Sequence, residues 1–172
     1  MAATDTTSAS FSSRDFRNTL GRFATGVTVV TMQQGDEVFG ITVSAFMSVS
    51  LEPPLVLVSI DKKARAHPTL LEAERYGVSI LSASQQALSN HFAGMEVDGL
   101  EPPYQHIDGF PLLEGAVGHL VCRVVDRHEA GDHTLFIGQV EHLAYEDKKP
   151  LLYYTGKYGR LEPPQNDPLL DG

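Results

Sequence analysis

The sequence predicts a mainly β protein in which a small barrel of Greek-key type carries short helices on its outside. Fifteen Gly and ten Pro occur beside eight Phe, six Tyr and no Trp, which indicates a chain that turns often. The apolar segments between the turns are short and β-branched, and they predict about six to eight strands without an internal repeat. A closed or nearly closed barrel would remove most sheet edges, although a two-sheet sandwich fits the pattern nearly as well.

The 172 residues, of which 42% are hydrophobic, suit one domain with one core. The first residues are small and polar, so we expect a disordered tail over residues 1–11 and a single domain over residues 12–172. A serine at position 12 or 13 can cap a first helix that ends by Gly26. We expect its apolar face to pack on the sheet and to carry Phe16, Leu20 and Phe23.

Extended segments follow this helix. The β-branched run VTVVTM, the turn QQGD and the run VFGITVSAFMSVS together predict a hairpin. Pro53 and Pro54 then interrupt the extended pattern. The continuous apolar run LVLVSI, from Leu55 to Ile60, predicts a central strand buried on both faces.

Short helices and strands alternate in the second half of the chain. Pro68 suits the first turn of a helix to about Glu74, YGVSILS predicts a strand, and SQQALSNHFAG predicts a capped helix that ends near Gly94. The Gly-, Pro- and acid-rich stretch that follows is a long loop, which we expect near a site or a subunit contact. AVGHLVCRVVDRHE and HTLFIGQVEHLAYE predict two long strands around an AGD turn, and LLYY predicts a final short strand.

Charge and cysteine content limit the classes of partner. A net charge of -9 and a pI near 5.1 argue against general binding to nucleic acid or to an anionic membrane surface. Cys122 is the single cysteine, and its apolar surroundings predict a buried thiol. The N-terminal stretch resembles no export signal and no later stretch is long and apolar enough to span a membrane. A cytoplasmic location is the expectation.

Several common catalytic motifs are missing. The sequence has no GxGxxG after a strand, and Leu100 stands where a phosphate-binding loop would need Lys. His128 and His133 are five residues apart with a turn between them, so they do not form the zinc-binding HExxH pattern. No serine lies in GxSxG. We therefore expect no metal site, and hydrolysis has no positive support.

One basic segment is distinctive in this acidic chain. Lys62, Lys63 and Arg65 lie within four positions, just after the predicted central strand, and His67 follows. Side-chain donors and loop amides at a strand end can hold a phosphate, and a helix that starts near Pro68 would add its N-terminal dipole. The alternative is an ordinary solvated loop.

Three other segments could contact a ligand. Thr42 and Ser44 fall on one face of a strand whose small residues would let a flat heteroaromatic ring approach the backbone; an ordinary strand with these residues toward solvent is the alternative. His133 projects from a tight turn between two long strands, where it is either a ligand contact or merely exposed. Near the C-terminal end, three side chains could stack on or pair with a nucleotide, or could form a final strand and a dimer contact: Tyr154, Tyr158 and Arg160.

The ordered combination of these segments resembles the flavin reductase-like proteins, which are short reductases of two-component aromatic hydroxylases and related monooxygenases. The resemblance runs from about Phe16 to Leu161. It rests on FATGVTVVT, GITVSAFMSVSLEPPLVLVSI, GVSILS with a helix that ends HFAG, GDHTLFIGQVE and PLLYYTGKYGRL, in that order.

This resemblance implies an FMN-binding split barrel, usually a homodimer, that reduces FMN or FAD with NADH or NADPH and passes the reduced flavin to a separate oxygenase. Hydride would pass directly from nicotinamide C4 to flavin N5, so stacking and hydrogen bonds would matter more than a nucleophile or a metal. Three alternatives remain: a flavin-binding protein without turnover, a split-barrel oxidase of a phosphorylated substrate, and a purely structural protein.

The resemblance also implies roles for individual residues. The isoalloxazine would lie along Thr42, Val43, Ser44 and Ala45. The ribityl phosphate would lie at the loop from Asp61 to His67, and the implied contacts there and on the preceding strand are Ser59, Asp61, Lys62, Lys63, Ala64, Arg65 and His67. Phe92 would lie close to the flavin and His133 would orient the nicotinamide, while the remaining cofactor contacts near the dimer interface would be Tyr154, Tyr158 and Arg160.

Overall fold

The computed structural model describes residues 10–95 and 97–162, and within them it contains three helices and twelve strands. The predicted disordered tail covers residues 1–11, and its residues 1–9 lie outside the described part of the chain. The helices are α1 (Ser13–Leu20), α2 (His67–Glu72) and α3 (Gln86–Phe92). The strands are β1 (Thr25–Gly26), β2 (Thr28–Gln34), β3 (Glu37–Val43), β4 (Phe46–Leu51), β5 (Pro54–Asp61), β6 (Arg75–Ile80), β7 (Tyr104–Ile107), β8 (Phe110–Leu113), β9 (Gly118–Ala130), β10 (His133–Tyr145), β11 (Leu151–Tyr154) and β12 (Lys157–Arg160).

Seven strands form one antiparallel sheet in the order β3-β2-β6-β9-β10-β5-β4. Its two edge strands, β3 and β4, are consecutive in the chain and are joined only by Ser44 and Ala45. The sheet therefore curls until its edges approach at this corner, where the Ser59 amide donates to the Ala45 carbonyl over 3.1 Å. The two edge strands β3 and β4 do not pair with each other. The mainly β fold is therefore a split barrel, and the predicted fold class is confirmed.

The barrel interior holds the main hydrophobic core, to which strands from every side contribute. Its fully buried members include Val30, Val58, Tyr76 and Phe136. Cys122 lies in this core, as predicted, and burial raises the pKa of its thiol to about 12. A second cluster lies under α3 and β11 and contains Val27, Val29, Leu81, Leu88, Leu113 and Leu151.

The first helix differs from its prediction in what it packs against. The predicted serine cap is Ser12, whose hydroxyl accepts from the Asp15 amide in a capping box. The helix ends at Leu20, however, and not by Gly26. No residue of α1 is buried, and Phe23 beyond its end is 77% exposed. The expectation that its apolar face packs on the sheet is therefore wrong for this chain by itself.

The predicted central strand, β5, is paired on both sides but buried on one face only. It lies between β10 and β4, one position from the sheet edge. Val56, Val58 and Ile60 point into the core, whereas Leu55 and Leu57 on the other face are only half-buried. The prediction of a strand buried on both faces is wrong within one chain.

The strand count exceeds the prediction because short breaks divide segments that look continuous in sequence. The run VFGITVSAFMSVS separates into β3 and β4, and the long loop contains a hairpin of β7 and β8 that turns at Asp108 and Gly109, both with positive φ. The residues GKYGRL contribute β12. The helix α3 is present, but no side chain caps its first turn. The two long strands β9 and β10 form as predicted.

Candidate functional site

Two adjoining cavities lie beside the corner between β3 and β4, against the C-terminal end of α3. The larger has a volume of about 680 Å³ and is lined by β3, the loop before α2 and the end of α3. The smaller has a volume of about 220 Å³ and is lined by α3, β11 and β12. Thr42 and Ala93 line both. The larger volume lies within the ~300 to 1,000 Å³ of ordinary small-molecule sites.

The corner residues present different groups to these cavities. Thr42 and Ser44 line the smaller cavity, and Thr42 Oγ1 donates to the Ser89 carbonyl over 2.6 Å. Val43 points the other way, into the core, and its carbonyl accepts from Thr28 Oγ1 over 2.6 Å. Ala45 is exposed at the corner. A ligand would therefore meet Thr42 and Ser44 side chains, but only the backbone of Val43.

The loop from Asp61 to His67 is held by its own hydrogen bonds. Asp61 accepts from the Lys63 amide at Oδ1 over 2.8 Å and from the Ala64 amide at its carbonyl over 2.9 Å. Within the described residues the amides of Arg65 and Ala66 donate to no protein group, and both residues line the larger cavity. Amides that donate to no protein group can bind an anion, so this loop is a candidate phosphate-binding segment.

The basic side chains of this loop are not equivalent. Lys62 is 3.6 Å from Glu129 in an exposed ion pair, which contributes little. Arg65 is exposed at the larger cavity and forms no ion pair within the described part of the chain. Lys63 is also exposed. Arg65 is therefore the guanidinium best placed to reach an anion held by the loop amides.

His67 has a different position from these side chains. It is 7% exposed, its Nε2 is 2.8 Å from Thr134 Oγ1, and its ring meets the Phe136 ring edge-on. This geometry favours a role in fastening the loop to β10 over a direct contact with a phosphate. Ser59, on β5, is half-buried on the outer face of the sheet.

Phe92, the last residue of α3, forms a wall of the larger cavity together with β3. Its ring lies over Gly40, at which a Cβ would stand 2.5 Å from Cε1 and 2.6 Å from Cδ1 of Phe92. Contacts that short do not occur in proteins, so the ring can hold this position only because residue 40 is glycine. The ring of His91 packs against Phe92 edge-on at 4.9 Å.

The C-terminal aromatic residues divide into two groups. Tyr158 lines the smaller cavity, and its hydroxyl is 2.8 Å from Ser89 Oγ. Tyr153 lines the same cavity and packs edge-on against Tyr158 at 5.3 Å. Tyr154 and Arg160 are exposed and line neither cavity. Sequence reasoning missed Ser89 and Tyr153; no pattern in the sequence distinguishes Ser89, which the structure shows to be fully buried in the helix that carries Phe92.

His133 begins β10 directly opposite Asp61, beside the basic loop but outside both cavities. The Asp132 carbonyl accepts from the Lys62 amide over 2.9 Å, which ties the turn to the loop. His133 Nδ1 is 2.7 Å from Asp132 Oδ1, and this hydrogen bond holds the pKa of Asp132 below its ordinary value. The carboxylate therefore stays ionised in neutral and mildly acidic solution, and the Nε2 edge of His133 is left for a ligand.

The described residues contain no group of three or more His, Cys, Asp or Glu side chains placed to hold a metal ion. None of their helices is long and apolar enough to cross a membrane.

The cavities, the basic loop from Asp61 to His67 and the corner strand all fall within residues 20–162, which match the family model described as flavin reductase like domain. The chain belongs to the flavin reductase-like family. An NADH-dependent flavin reductase from a Rhodococcus species is 50% identical to it over 149 residues, which cover 85% of this chain and 85% of the relative. The family prediction is confirmed.

Two other members connect the family to its chemistry. The reductase component of 4-hydroxyphenylacetate 3-monooxygenase from Thermus thermophilus is 40% identical over 147 residues, or 85% of this chain and 95% of the relative. The structure of the NADH:FAD oxidoreductase SgcE6 from Streptomyces globisporus, in complex with NAD and FAD fragments, is 38% identical with a TM-score of 0.81. This alignment covers 87% of this chain and 93% of that chain.

Proposed function

We propose that this protein is an NAD(P)H-dependent flavin reductase, acting on FMN or FAD, that supplies reduced flavin to a separate oxygenase. The observation that carries the proposal is the larger cavity, whose lining includes Arg65 and Ala66, with amides that donate to no protein group of the described residues, and also Thr42 and Phe92. The amides and Arg65 suit a phosphate, and Thr42 and Phe92 suit a flat ring. The Rhodococcus relative, an NADH-dependent flavin reductase, supports the activity, and the Thermus thermophilus relative, a reductase component of a monooxygenase, supports the oxygenase partner.

The residues present fit a flavin. The amides of Arg65 and Ala66 and the Arg65 side chain would hold the phosphate. Thr42 and Ser44 would line one side of the ring system, and Phe92 would pack against another. When bound, the flavin accepts a hydride from the nicotinamide, and the protein supplies position and hydrogen bonds.

His133 would orient the nicotinamide nucleotide. Its Nδ1 is engaged by Asp132, which restrains the ring and leaves Nε2 to bind the nucleotide. The hydrogen bond from the Lys62 amide to Asp132 keeps this turn at a constant distance from the loop that would hold the flavin phosphate. Two cofactors that must stack for hydride transfer would thus be positioned by two segments that are hydrogen-bonded to each other.

Purified protein mixed with NADH or NADPH, with FMN, FAD or neither, tests the proposal through absorbance of the reduced nicotinamide. We expect consumption that requires added flavin and exceeds the uncatalysed rate. Flavin binding without consumption of either nucleotide would support a binding protein without turnover. Absence of both binding and consumption would contradict the proposed site itself.

We also propose that the protein is a homodimer, and the outer face of β5 supports this. Met47, Leu57 and Ile137 stand opposite one another across β4, β5 and β10. Met47 is 56% exposed and the other two are half-buried. A sheet face in water is ordinarily polar, so a second copy over this row would bury the face of β5 that one chain leaves open. A cytoplasmic location remains a prediction from the sequence.

A further inference from the structure

The loop from Asp61 to His67, which connects β5 to α2, is attached at both of its ends to the start of β10. At the first end, the Lys62 amide donates to the Asp132 carbonyl over 2.9 Å. At the other end, His67 Nε2 is 2.8 Å from Thr134 Oγ1. The loop is therefore held by a backbone hydrogen bond on one side and by a side-chain hydrogen bond on the other.

The attachment through His67 is buried in the core. His67 is 7% exposed and Thr134 is 3% exposed. The His67 ring also meets the ring of Phe136 edge-on at 6.0 Å. Because alternate residues of a strand point to the same face, Thr134 and Phe136 both hold the imidazole from the inner face of β10. A buried hydrogen bond is costly to lose, since its partners cannot bond to water instead.

His133, which would orient the nicotinamide, lies between the two attachment points. The residue before it, Asp132, accepts from the loop at its carbonyl, and the residue after it, Thr134, bonds to the loop through its hydroxyl. The side chain of His133 points away from the core and is half-buried. A movement of the loop therefore carries the backbone of His133 with it.

Inside the loop, two consecutive turns connect His67 to the residues that line the larger cavity. The Ala64 amide donates to the Asp61 carbonyl over 2.9 Å, and the His67 amide donates to the Ala64 carbonyl over 3.0 Å. Arg65 and Ala66 lie within the second turn and line the cavity. A displacement of His67 would therefore displace the two amides that would hold the flavin phosphate.

We propose that His67 is a positioning residue whose hydrogen bond to Thr134 couples the binding of the flavin phosphate to the binding of the nicotinamide nucleotide. The first ligand to bind would order the loop and the start of β10 together, so the second would bind without that cost. Coupling between two sites is reciprocal, so each ligand would tighten the other by the same factor. The proposal rests on the proposed function, because it needs both cofactors in their proposed places.

The first test measures the dissociation constant of NAD⁺ from the full chain with saturating riboflavin and with saturating FMN. NAD⁺ has no hydride to pass to an oxidised flavin, so the measurement is made at equilibrium. The two flavins share one ring system and only FMN has a phosphate, so their difference isolates the contribution of the loop. We expect NAD⁺ to bind about tenfold more tightly with FMN than with riboflavin.

The second test repeats this measurement on variants of the hydrogen bond. His67→Leu and Thr134→Val each remove it, and we expect both to reduce the tenfold difference to about one. The double variant should show the same coupling as either single variant, since all three lack the same bond. His67→Gln should retain the coupling, because its amide can donate or accept and replaces the imidazole whichever way the bond runs.

Thr31→Val is the matched control. Thr31 is fully buried, its Oγ1 donates to the Pro111 carbonyl over 2.8 Å, and it lines neither cavity. If the bond of His67 to Thr134 only stabilises the fold, its loss should lower the temperature of unfolding, as Thr31→Val does, and leave the coupling unchanged. Coupling that survives in Thr134→Val, or that Thr31→Val lowers equally, would overturn the role of His67.

The outcomes remain distinguishable from failure of the proposed function. A wild-type protein that binds neither FMN nor NAD⁺ would overturn both proposals. Binding of both ligands, with the same affinity for NAD⁺ in the presence of FMN and of riboflavin, would overturn the coupling alone.

Discussion

The ring of Phe92 occupies the space that a side chain at Gly40 would need, with 2.5 Å between Phe92 Cε1 and the position of a Cβ at residue 40. The glycine lies on β3 and the phenylalanine ends α3. The position of the Phe92 ring in the wall of the larger cavity therefore requires that residue 40 has no side chain.

Gly40→Ala should displace the Phe92 ring and weaken FMN binding by about tenfold, because the ring can move only into or away from the cavity. Fluorescence titration measures the affinity, and thermal unfolding shows whether the fold survives. The variant Gly40→Ala with Phe92→Ala should bind no worse than Phe92→Ala alone, since the clash is then absent. Additive losses would contradict this account.

Arg65→Ala should weaken the binding of FMN by about tenfold or more but leave the binding of riboflavin, which has no phosphate, unchanged. A charge-assisted hydrogen bond at a cavity wall has that magnitude. Lys62→Ala is the control, because Lys62 is engaged with Glu129. Equal losses for the two flavins would show that Arg65 does not contact the phosphate.

His133→Ala should raise the Michaelis constant for NADH by about tenfold and leave the dissociation constant of FMN unchanged, because the imidazole lies outside both cavities. Steady-state kinetics with saturating flavin measures the first quantity. If the Michaelis constant and the turnover number both stay at wild-type values, the orienting role is wrong.

Leu57→Glu should convert the dimer to a monomer, because it places a charge in the apolar row on the outer face of β5. Light scattering with size-exclusion chromatography measures the mass. Leu143→Glu is the matched control, since Leu143 is 65% exposed and lies on β10 outside that row. A dimer that persists in Leu57→Glu, or a wild-type monomer, would contradict the proposed interface.

The sequence predicted most elements correctly, since their signals are local. The Ser12 cap, the long strands β9 and β10 and the buried Cys122 all follow from neighbouring residues. The errors are of a different kind. The apolar faces of α1 and β5 were expected to be buried within the chain, and a pattern of apolar residues does not say whether the covering surface belongs to the same chain or to another.

Some residues at the cavities were expected from the sequence and others were not, again because the sequence does not show contacts between distant segments. Thr42, Arg65, Phe92 and Tyr158 lie in segments that the family resemblance brings together, and the structure places all four at the cavities. Tyr154 and Arg160 were expected to join them. Tyr154 follows Tyr153 on β11 and Arg160 lies two residues after Tyr158 on β12, but both side chains are exposed and line neither cavity. Ser89 becomes visible only from the contacts it makes in three dimensions.

The position of Cys122 has a consequence for a protein that handles reduced flavin. Free reduced flavin reacts with oxygen and releases peroxide, and peroxide attacks thiolates that are exposed. The chain has a single cysteine, which is 0% exposed in the barrel interior, and burial keeps it in the protonated form. The only thiol is thus withheld from the oxidant that an uncoupled reaction would produce, and loss of activity during turnover should come from other side chains, with exposed Met47 and Met95 the first candidates.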